Sequence, residues 1–152
     1  MTNEQLSVHA GTSLGTAFFG VFTLVAIIGL ICYVFTAIGL MRMATRTGIN
    51  NAWLAWIPIG NMYILGELVT AKMNGKGGKY TLYATIATVL LGWIPIIGTL
   101  ISIAFALFVF VLYYWLYQKY SKNPVLHLVL SIIISPYCAF AIFALRNRDA
   151  SY

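Results

Sequence analysis

Polar side chains inside apolar stretches are the first candidates for chemistry in this sequence. Glu67 is the only acidic residue within a hydrophobic segment, and Asn61 and Tyr63 precede it by six and four positions. Because burying a charge is costly unless the charge is paired, such a carboxylate can bind a cation or relay a proton, alone or with His127. The same spacing fits a structural role in which Glu67 bonds to Tyr63 or is balanced by Lys72, and we favour that role.

His127 is the second candidate, and it precedes Ser131 by one helical turn. A Ser-His-acid arrangement can be assembled from Ser131, His127 and Glu67, but nothing in their spacing supports it. The apolar runs hold no second histidine, so a metal site lacks ligands there. Cys32 and Cys138 each stand in an apolar run, where a thiol behaves as a small hydrophobe. We therefore predict a packing role for His127, and no catalytic residues, cofactor or metal.

The composition indicates which kind of element must position these residues. Hydrophobic residues make up 61% of the 152 residues and charged residues only 8%, with a mean hydropathy of +0.89. An ordinary soluble domain carries roughly 25% charged residues. The sequence therefore predicts one membrane domain that spans residues 1–152.

The first apolar run covers residues 13–41 and contains no charge. It exceeds the roughly 20 residues that a helix needs to cross about 30 Å of hydrocarbon, so we predict a membrane span. The polar tail before it, residues 1–12, has no Lys or Arg, whereas a cleaved signal peptide begins with a positive region. We expect the run to be retained.

The nine basic residues form four clusters, and these set the expected orientation. Short loops rich in Lys and Arg stay on the cytoplasmic side, so we expect the N-terminus outside and the C-terminal tail, residues 146–152, inside. Contacts with lipid headgroups explain the net charge of +6 without nucleic acid. The glycines between Lys76 and Lys79 lack the spacing of a phosphate loop, and we interpret them as part of a flexible basic turn. The clusters are Arg42 and Arg46; Lys72, Lys76 and Lys79; Lys119 and Lys122; and Arg146 and Arg148.

Each apolar segment between these clusters carries a helix breaker near its middle. Pro58 interrupts residues 52–71, Pro95 interrupts residues 80–118, and Ser135 with Pro136 interrupts residues 124–145. Only residues 80–118 are long enough for a helical hairpin with two crossings. The other two segments are predicted to be re-entrant or kinked.

The predicted fold class is therefore an all-α polytopic membrane protein with three full spans and two re-entrant or kinked segments. An alternative has five spans, in which every segment of about 20 residues crosses once. That alternative places Lys72, Lys76 and Lys79 on the side opposite Arg42 and Arg46, against the charge rule. We favour the hairpin arrangement, and the alternative stays open.

A short motif recurs at two of these breakers. Residues 56–59 and 93–96 both read Trp-Ile-Pro-Ile, and the first copy continues as Gly60-Asn61-Met62-Tyr63. The element Trp-Ile-Pro-Ile-x-Asn-x-Tyr resembles one found in a group of small, uncharacterised bacterial multi-pass membrane proteins. The second copy departs from it, because Gly98 and Thr99 stand near the expected Asn. The resemblance implies a bacterial plasma membrane and supplies no activity.

Three classes of function are compatible with the sequence. We favour a non-enzymatic membrane protein that acts through helix contacts with a membrane protein partner or a second copy, as an accessory or protective factor. The alternative is a small transporter, channel or lipid-handling protein that uses the broken helices and Glu67. An intramembrane enzyme is the remote alternative.

Overall fold

The computed structural model describes the backbone of residues 3–134 and 136–148 and the side chains of residues 15–134 and 136–148. Ser135 and residues 149–152 of the basic tail lie outside the described residues. Within the described ranges the fold is all-α, as predicted, and no strand is present. The helices are α1 (Asn3–Arg46), α2 (Pro58–Leu68), α3 (Gly77–Leu91), α4 (Pro95–Tyr120), α5 (Pro124–Ile133) and α6 (Tyr137–Leu145), with 3-10 helices at Ala52–Trp56 and Thr70–Met73.

The first helix begins earlier than the apolar run that predicted it. We assigned residues 1–12 to a polar tail, but α1 starts at Asn3 and continues without a break to Arg46. Residues 3–12 contain no proline and one glycine, so nothing in them interrupts a helix once it has formed. Polarity therefore predicted where the apolar face begins and not where the helix begins.

The prolines start helices as well as ending them. Pro58, Pro95 and Pro124 lie in the first turn of α2, α4 and α5, and Pro136 is the N-cap residue of α6. A proline suits this position because its φ is preset and its missing N–H would have no helical partner there. The predicted breaks are thus found at Pro58, Pro95 and Pro136, each at the beginning of the next helix.

The chain reverses at the breaks. Residues 84–88 of α3 and residues 101–108 of α4 line the same groove, so these helices lie side by side. Before α2, the backbone carbonyl of Trp56 accepts a hydrogen bond of 2.5 Å from the hydroxyl of Tyr33, so the chain has turned back along α1. Ser131 of α5 and Cys138 of α6 both bond to the hydroxyl of Tyr117, which places these helices next to each other as well.

Hydrogen bonds bring the basic clusters to one end of the bundle. Arg46, at the end of α1, donates to the backbone carbonyl of Asn147 after α6, at 2.6 Å. Lys119, near the end of α4, donates to the carbonyl of Leu68 at the end of α2, at 2.8 Å. The core cluster includes residues from these same helix ends, among them Met43, Leu68, Tyr120 and Leu145. We call this part of the molecule the basic end.

Packing is concentrated at the basic end, whereas the first described side chains of α1 are exposed. Every described side chain from residue 16 to residue 31 is exposed, a stretch of about 24 Å of helix. The exposed fractions of Phe18, Phe19 and Phe22 are 75%, 76% and 73%. By contrast, Leu40, Met43 and Ala44 of the same helix are buried.

Among the residues that the structure describes, two helices are long and apolar enough to cross a membrane, namely Gly15–Arg46 within α1 and Pro95–Tyr120. The core helix of a soluble protein would pass the same test, but such a helix is mostly buried. Here only 6% and 11% of the residues in the two apolar windows are buried. The third predicted span, α3, has 15 residues and a length of about 22 Å, which is less than a full crossing requires.

Candidate functional site

The five polar candidates from the sequence fall into two separate groups. Asn61, Tyr63 and Glu67 lie on α2, and their contacts are with α2, α3 and the 3-10 helix at Ala52–Trp56. His127 and Ser131 lie on α5 and contact α4, α5 and α6. The arrangement that would join Glu67 to His127 for proton relay is thus not formed by these contacts.

Glu67 lies where α2 packs closely against α3. Its carboxylate lies beside the phenol of Tyr63, one helical turn earlier, and the two groups interact electrostatically. Both side chains press on Gly78 of α3, where an added Cβ would lie 2.6 Å from Glu67 Cγ and 2.7 Å from Tyr63 Cε2. Glu67 and Tyr63 are therefore neighbouring side chains packed between two helices.

The close approach of α2 to α3 depends on small residues that the sequence analysis did not single out. A Cβ added to Gly66 would lie 2.8 Å from the backbone carbon of Gly77, and one added to Gly77 would lie 3.0 Å from that of Gly66. The fully buried Thr81 donates to the carbonyl of Gly77 at 2.9 Å. Glycines on facing helices allow such contact, so Gly77 and Gly78 serve helix packing as well as the turn.

Asn61 holds the turn at Pro58. Its side-chain amide is buried and donates to the backbone carbonyl of Ala55, six residues earlier, at 3.1 Å. Ala55 lies in the 3-10 helix that precedes the turn, so this bond ties the two arms together. The Asn of the Ile-Pro-Ile-x-Asn motif thus satisfies a carbonyl that the proline turn leaves without a helical donor.

The second Trp-Ile-Pro-Ile copy forms the same turn by another means. Ile57 and Ile94 both have extended backbones before their prolines, as the residue before proline prefers. Gly98 occupies the position that corresponds to Asn61, three residues after the proline. A Cβ there would lie 2.7 Å from the backbone carbon of Gly92, again six residues earlier. The backbones touch directly in this copy, so a side chain such as Asn has no room.

The second polar group satisfies its own hydrogen bonds. Ser131 Oγ donates to the backbone carbonyl of His127 at 2.7 Å and lies 2.9 Å from the hydroxyl of the fully buried Tyr117. His127 Nδ1 lies 2.8 Å from the hydroxyl of Tyr137, and Tyr117 also donates to Cys138 Sγ at 3.5 Å. Because Ser131 bonds to the main chain and not to the imidazole of His127, these two residues do not form an activated nucleophile pair.

Sequence reasoning missed Tyr117, Tyr137 and Cys138 as partners in this group. Tyr117 lies 14 and 21 residues along the chain from Ser131 and Cys138. No local spacing connects residues on three helices. The sequence predicted only that a buried polar side chain must have a hydrogen-bond partner, without identifying that partner.

The basic residues divide into two kinds. Arg46, Lys119 and Arg146 donate to backbone carbonyls at helix ends, and the Arg146 guanidinium also lies 3.6 Å from the ring centroid of Phe143. Cations at these positions complement the negative end of a helix. The remaining basic residues have exposed side chains: Arg42, Lys72, Lys76, Lys79, Lys122 and Arg148.

No family model matches the chain, and the comparisons with curated proteins and with solved structures gave no match. A functional argument therefore has to begin from the packing and polar contacts described above.

Proposed function

We propose that this chain is an integral membrane protein without enzymatic activity that acts by presenting the first part of α1 to a helix of another membrane protein or of a second copy. The observation that carries the proposal is the run of exposed side chains from residue 16 to residue 31. A length of helix that is apolar on every face and whose described side chains are all exposed offers about 24 Å of contact length to a partner. We call residues 17–31 the free stretch of α1.

Placement in the bilayer is supported by the distribution of exposed apolar side chains. They occur along the free stretch of α1, along α3, in the turn after it and along α4, where Leu90, Trp93 and Ile96 are 69%, 90% and 78% exposed. A soluble monomer rarely exposes apolar surface of this extent. In hydrocarbon the same surface is solvated, so no burial within the chain is required.

The proposed topology keeps the basic end in the cytoplasm and the N-terminus outside, in a bacterial plasma membrane. In it, α1, α3 and α4 cross, and the turn at Trp93 completes the short α3 crossing at the outer headgroups, where tryptophan is favoured. The chain before α2 turns back beside Tyr33, up to about 20 Å along α1 from Arg46, which is less than a full crossing. Because Lys119 donates a hydrogen bond to Leu68, the last residue of α2, this helix ends at the basic end.

A partner-binding role is favoured over transport because the polar groups are already occupied. Asn61 bonds to Ala55, Glu67 interacts electrostatically with Tyr63, and Ser131 bonds to His127 and Tyr117. A transport path needs polar groups that face a shared cavity, whereas these groups are tied to neighbours in two separate places.

Glycine packing within the chain indicates how a partner helix can approach. Gly39 of α1 is in close contact with Ile142 of α6, since an added Cβ would lie 2.7 Å from Ile142 Cγ2. Gly15, Gly20 and Gly29 of the same helix have nothing within 4 Å of the corresponding position. Small residues let helices approach closely in membranes, so these three glycines are suited to a helix from outside the chain.

Photo-crosslinking in native membranes tests the proposal. A photoreactive amino acid at Phe19 or Thr23 is expected to give discrete protein adducts, whose mass separates a second copy from another protein. The matched control positions are Val89 of α3 and Leu107 of α4, which are also exposed and apolar but face lipid in the proposed arrangement. Lipid adducts alone at Phe19 and Thr23, as at the controls, would exclude a helix partner for α1.

A further inference from the structure

A narrow apolar groove runs between α3 and α4. Its volume is about 260 Å³, and its lining spans residues 101–108 on α4, a length of about 10 Å. The hydroxyl of Thr88, the one polar side-chain group in the lining, donates to the carbonyl of Ala84 in its own helix at 2.8 Å. The lining residues are Ala84, Ala87 and Thr88 of α3 and Ile101, Ala104, Phe105 and Phe108 of α4.

The size and lining of the groove indicate which kind of ligand fits it. Drug-sized ligands occupy pockets of roughly 300–1,000 Å³ that also present polar groups for orientation, whereas this groove is smaller and the hydroxyl of Thr88 is bonded within its own helix. A helix, with a diameter of about 10–12 Å, cannot enter between two helices that already lie against each other. An unbranched hydrocarbon chain fits both the apolar lining and the elongated form.

A positive charge lies at the start of α3. Tyr80 precedes Ala84 by one turn and lies on the same side of the helix, and Lys76, at the N-cap, is about 12 Å from Ala84 along the axis. Lys76 is exposed and is the N-cap residue of α3, where the helix dipole also favours an anion. The headgroup layer is roughly 5–7 Å thick on each side of the bilayer. A phosphate at Lys76 therefore places Ala84 just inside the hydrocarbon.

From this arrangement we infer that the groove between α3 and α4 binds one acyl chain of an anionic phospholipid whose phosphate lies at Lys76. The inference rests on the membrane placement proposed above and is independent of any partner for α1. The inference also accounts for the small residues Ala84, Ala87 and Thr88 of α3. Helix packing does not explain them, since α4 leaves the space beside them open. The basic end and the groove then belong to a single lipid site.

Labelling of the wild-type protein by a photoactivatable lipid tests the inference without altering the fold. The purified chain is reconstituted in phosphatidylcholine vesicles that contain a small fraction of phosphatidylglycerol with a diazirine in one acyl chain. We expect adducts at the seven lining residues of the groove to exceed those at the exposed residues Val89 and Leu107, which lie outside the lining, several-fold. The same diazirine chain on phosphatidylcholine is expected to label the groove several-fold less. Even labelling of all exposed positions, or equal labelling by the two lipids, would overturn the inference.

Matched substitutions provide the second test. Ala104→Leu fills the groove, whereas Ala106→Leu adds the same atoms to the same helix at an exposed position outside it. Likewise, Lys76→Gln removes the proposed phosphate contact, and Lys122→Gln removes an exposed charge from another loop. Groove labelling is expected to fall at least fivefold in Ala104→Leu and in Lys76→Gln and to stay at the wild-type level in both controls. Equal labelling within each pair contradicts the lipid site.

Extraction of membranes with alkaline carbonate separates failure of the lipid site from failure of the membrane placement. A chain that stays in the pellet but is labelled evenly lacks only the lipid site. A chain that is released with peripheral proteins overturns the lipid site together with the placement on which it rests.

Discussion

At the scale of single residues, the polar candidate side chains of this protein interact with groups of the same chain. Glu67 and Tyr63 form a pair one turn apart on α2, and Asn61 reaches a carbonyl across the turn at Pro58. In hydrocarbon an unpaired polar group is costly, so each such residue must either find a partner or line a wet cavity. Because these side chains have partners, we favour a structural role for them.

Glu67→Gln tests that role against transport. Gln has nearly the same shape as Glu and can keep the packing against Tyr63 and Gly78, so we expect unchanged thermal unfolding in detergent. Proteoliposomes of wild type and of the variant should be as tight to protons and alkali cations as protein-free vesicles in a dye-release or pH-dye assay. A flux in wild type that disappears in Glu67→Gln would instead support a transport path through Glu67.

At the scale of elements, the closest helix contact is the one between α2 and α3. It depends on Gly66 and Gly77, whose backbones leave no space for a Cβ on either side. A backbone atom cannot move aside as a flexible side chain can, so a substitution there must separate the two helices. The pair Tyr63 and Glu67 would then lose its packing against Gly78.

Gly66→Ala is therefore expected to destabilise the protein by about 1–3 kcal/mol, the usual cost of overpacking. The control is Gly20→Ala, in which the same methyl group is added to a helix where nothing lies within 4 Å. Thermal unfolding in one detergent should give a lower Tm for Gly66→Ala and an unchanged or higher Tm for Gly20→Ala. Equal Tm values for the two variants would mean that α2 and α3 are not in close contact.

The sequence predicted the helix breaks because proline acts locally. Pro58, Pro95 and Pro136 each remove a backbone donor, and no tertiary information is needed to know that a helix ends nearby. The contact between Gly66 and Gly77 was not predicted, since it depends on how the turn after Leu68 directs α3 back onto α2. Local chemistry thus gives the ends of elements, and tertiary packing decides which faces meet.

The two polar groups show the same limit within the candidate site. The sequence identified His127 and Ser131 as polar residues in an apolar run, but Tyr117 joins them from another helix. The proximity of Glu67 to Tyr63 could be expected from the sequence because residues four apart share a helix face. Partners within one helix are readable from spacing, whereas partners across helices are not.

At the scale of the whole molecule, the fold is packed at the basic end and open elsewhere. The buried cluster includes the ends of α1, α2, α4 and α6, whereas the free stretch of α1 has only exposed side chains. Such a molecule is wide at the basic end, where α2, α5 and α6 add to its cross-section. It is narrow at the other end, where only α1, α3 and α4 continue. This asymmetry leaves α1 available to a partner and is consistent with every basic loop lying on one side.

The sidedness of the loops is the central claim, and cysteine accessibility in a cysteine-free background tests it most directly. Suitable positions are Thr47, Ala71, Trp93 and Asn147, all of which are exposed, whereas Gly77 and Gly98 are buried against neighbouring backbone and would disturb the fold. An impermeant thiol reagent applied to intact cells should label only Trp93→Cys, and the other three should react after the membrane is opened. Labelling of Ala71→Cys from outside would contradict the account and favour five single crossings.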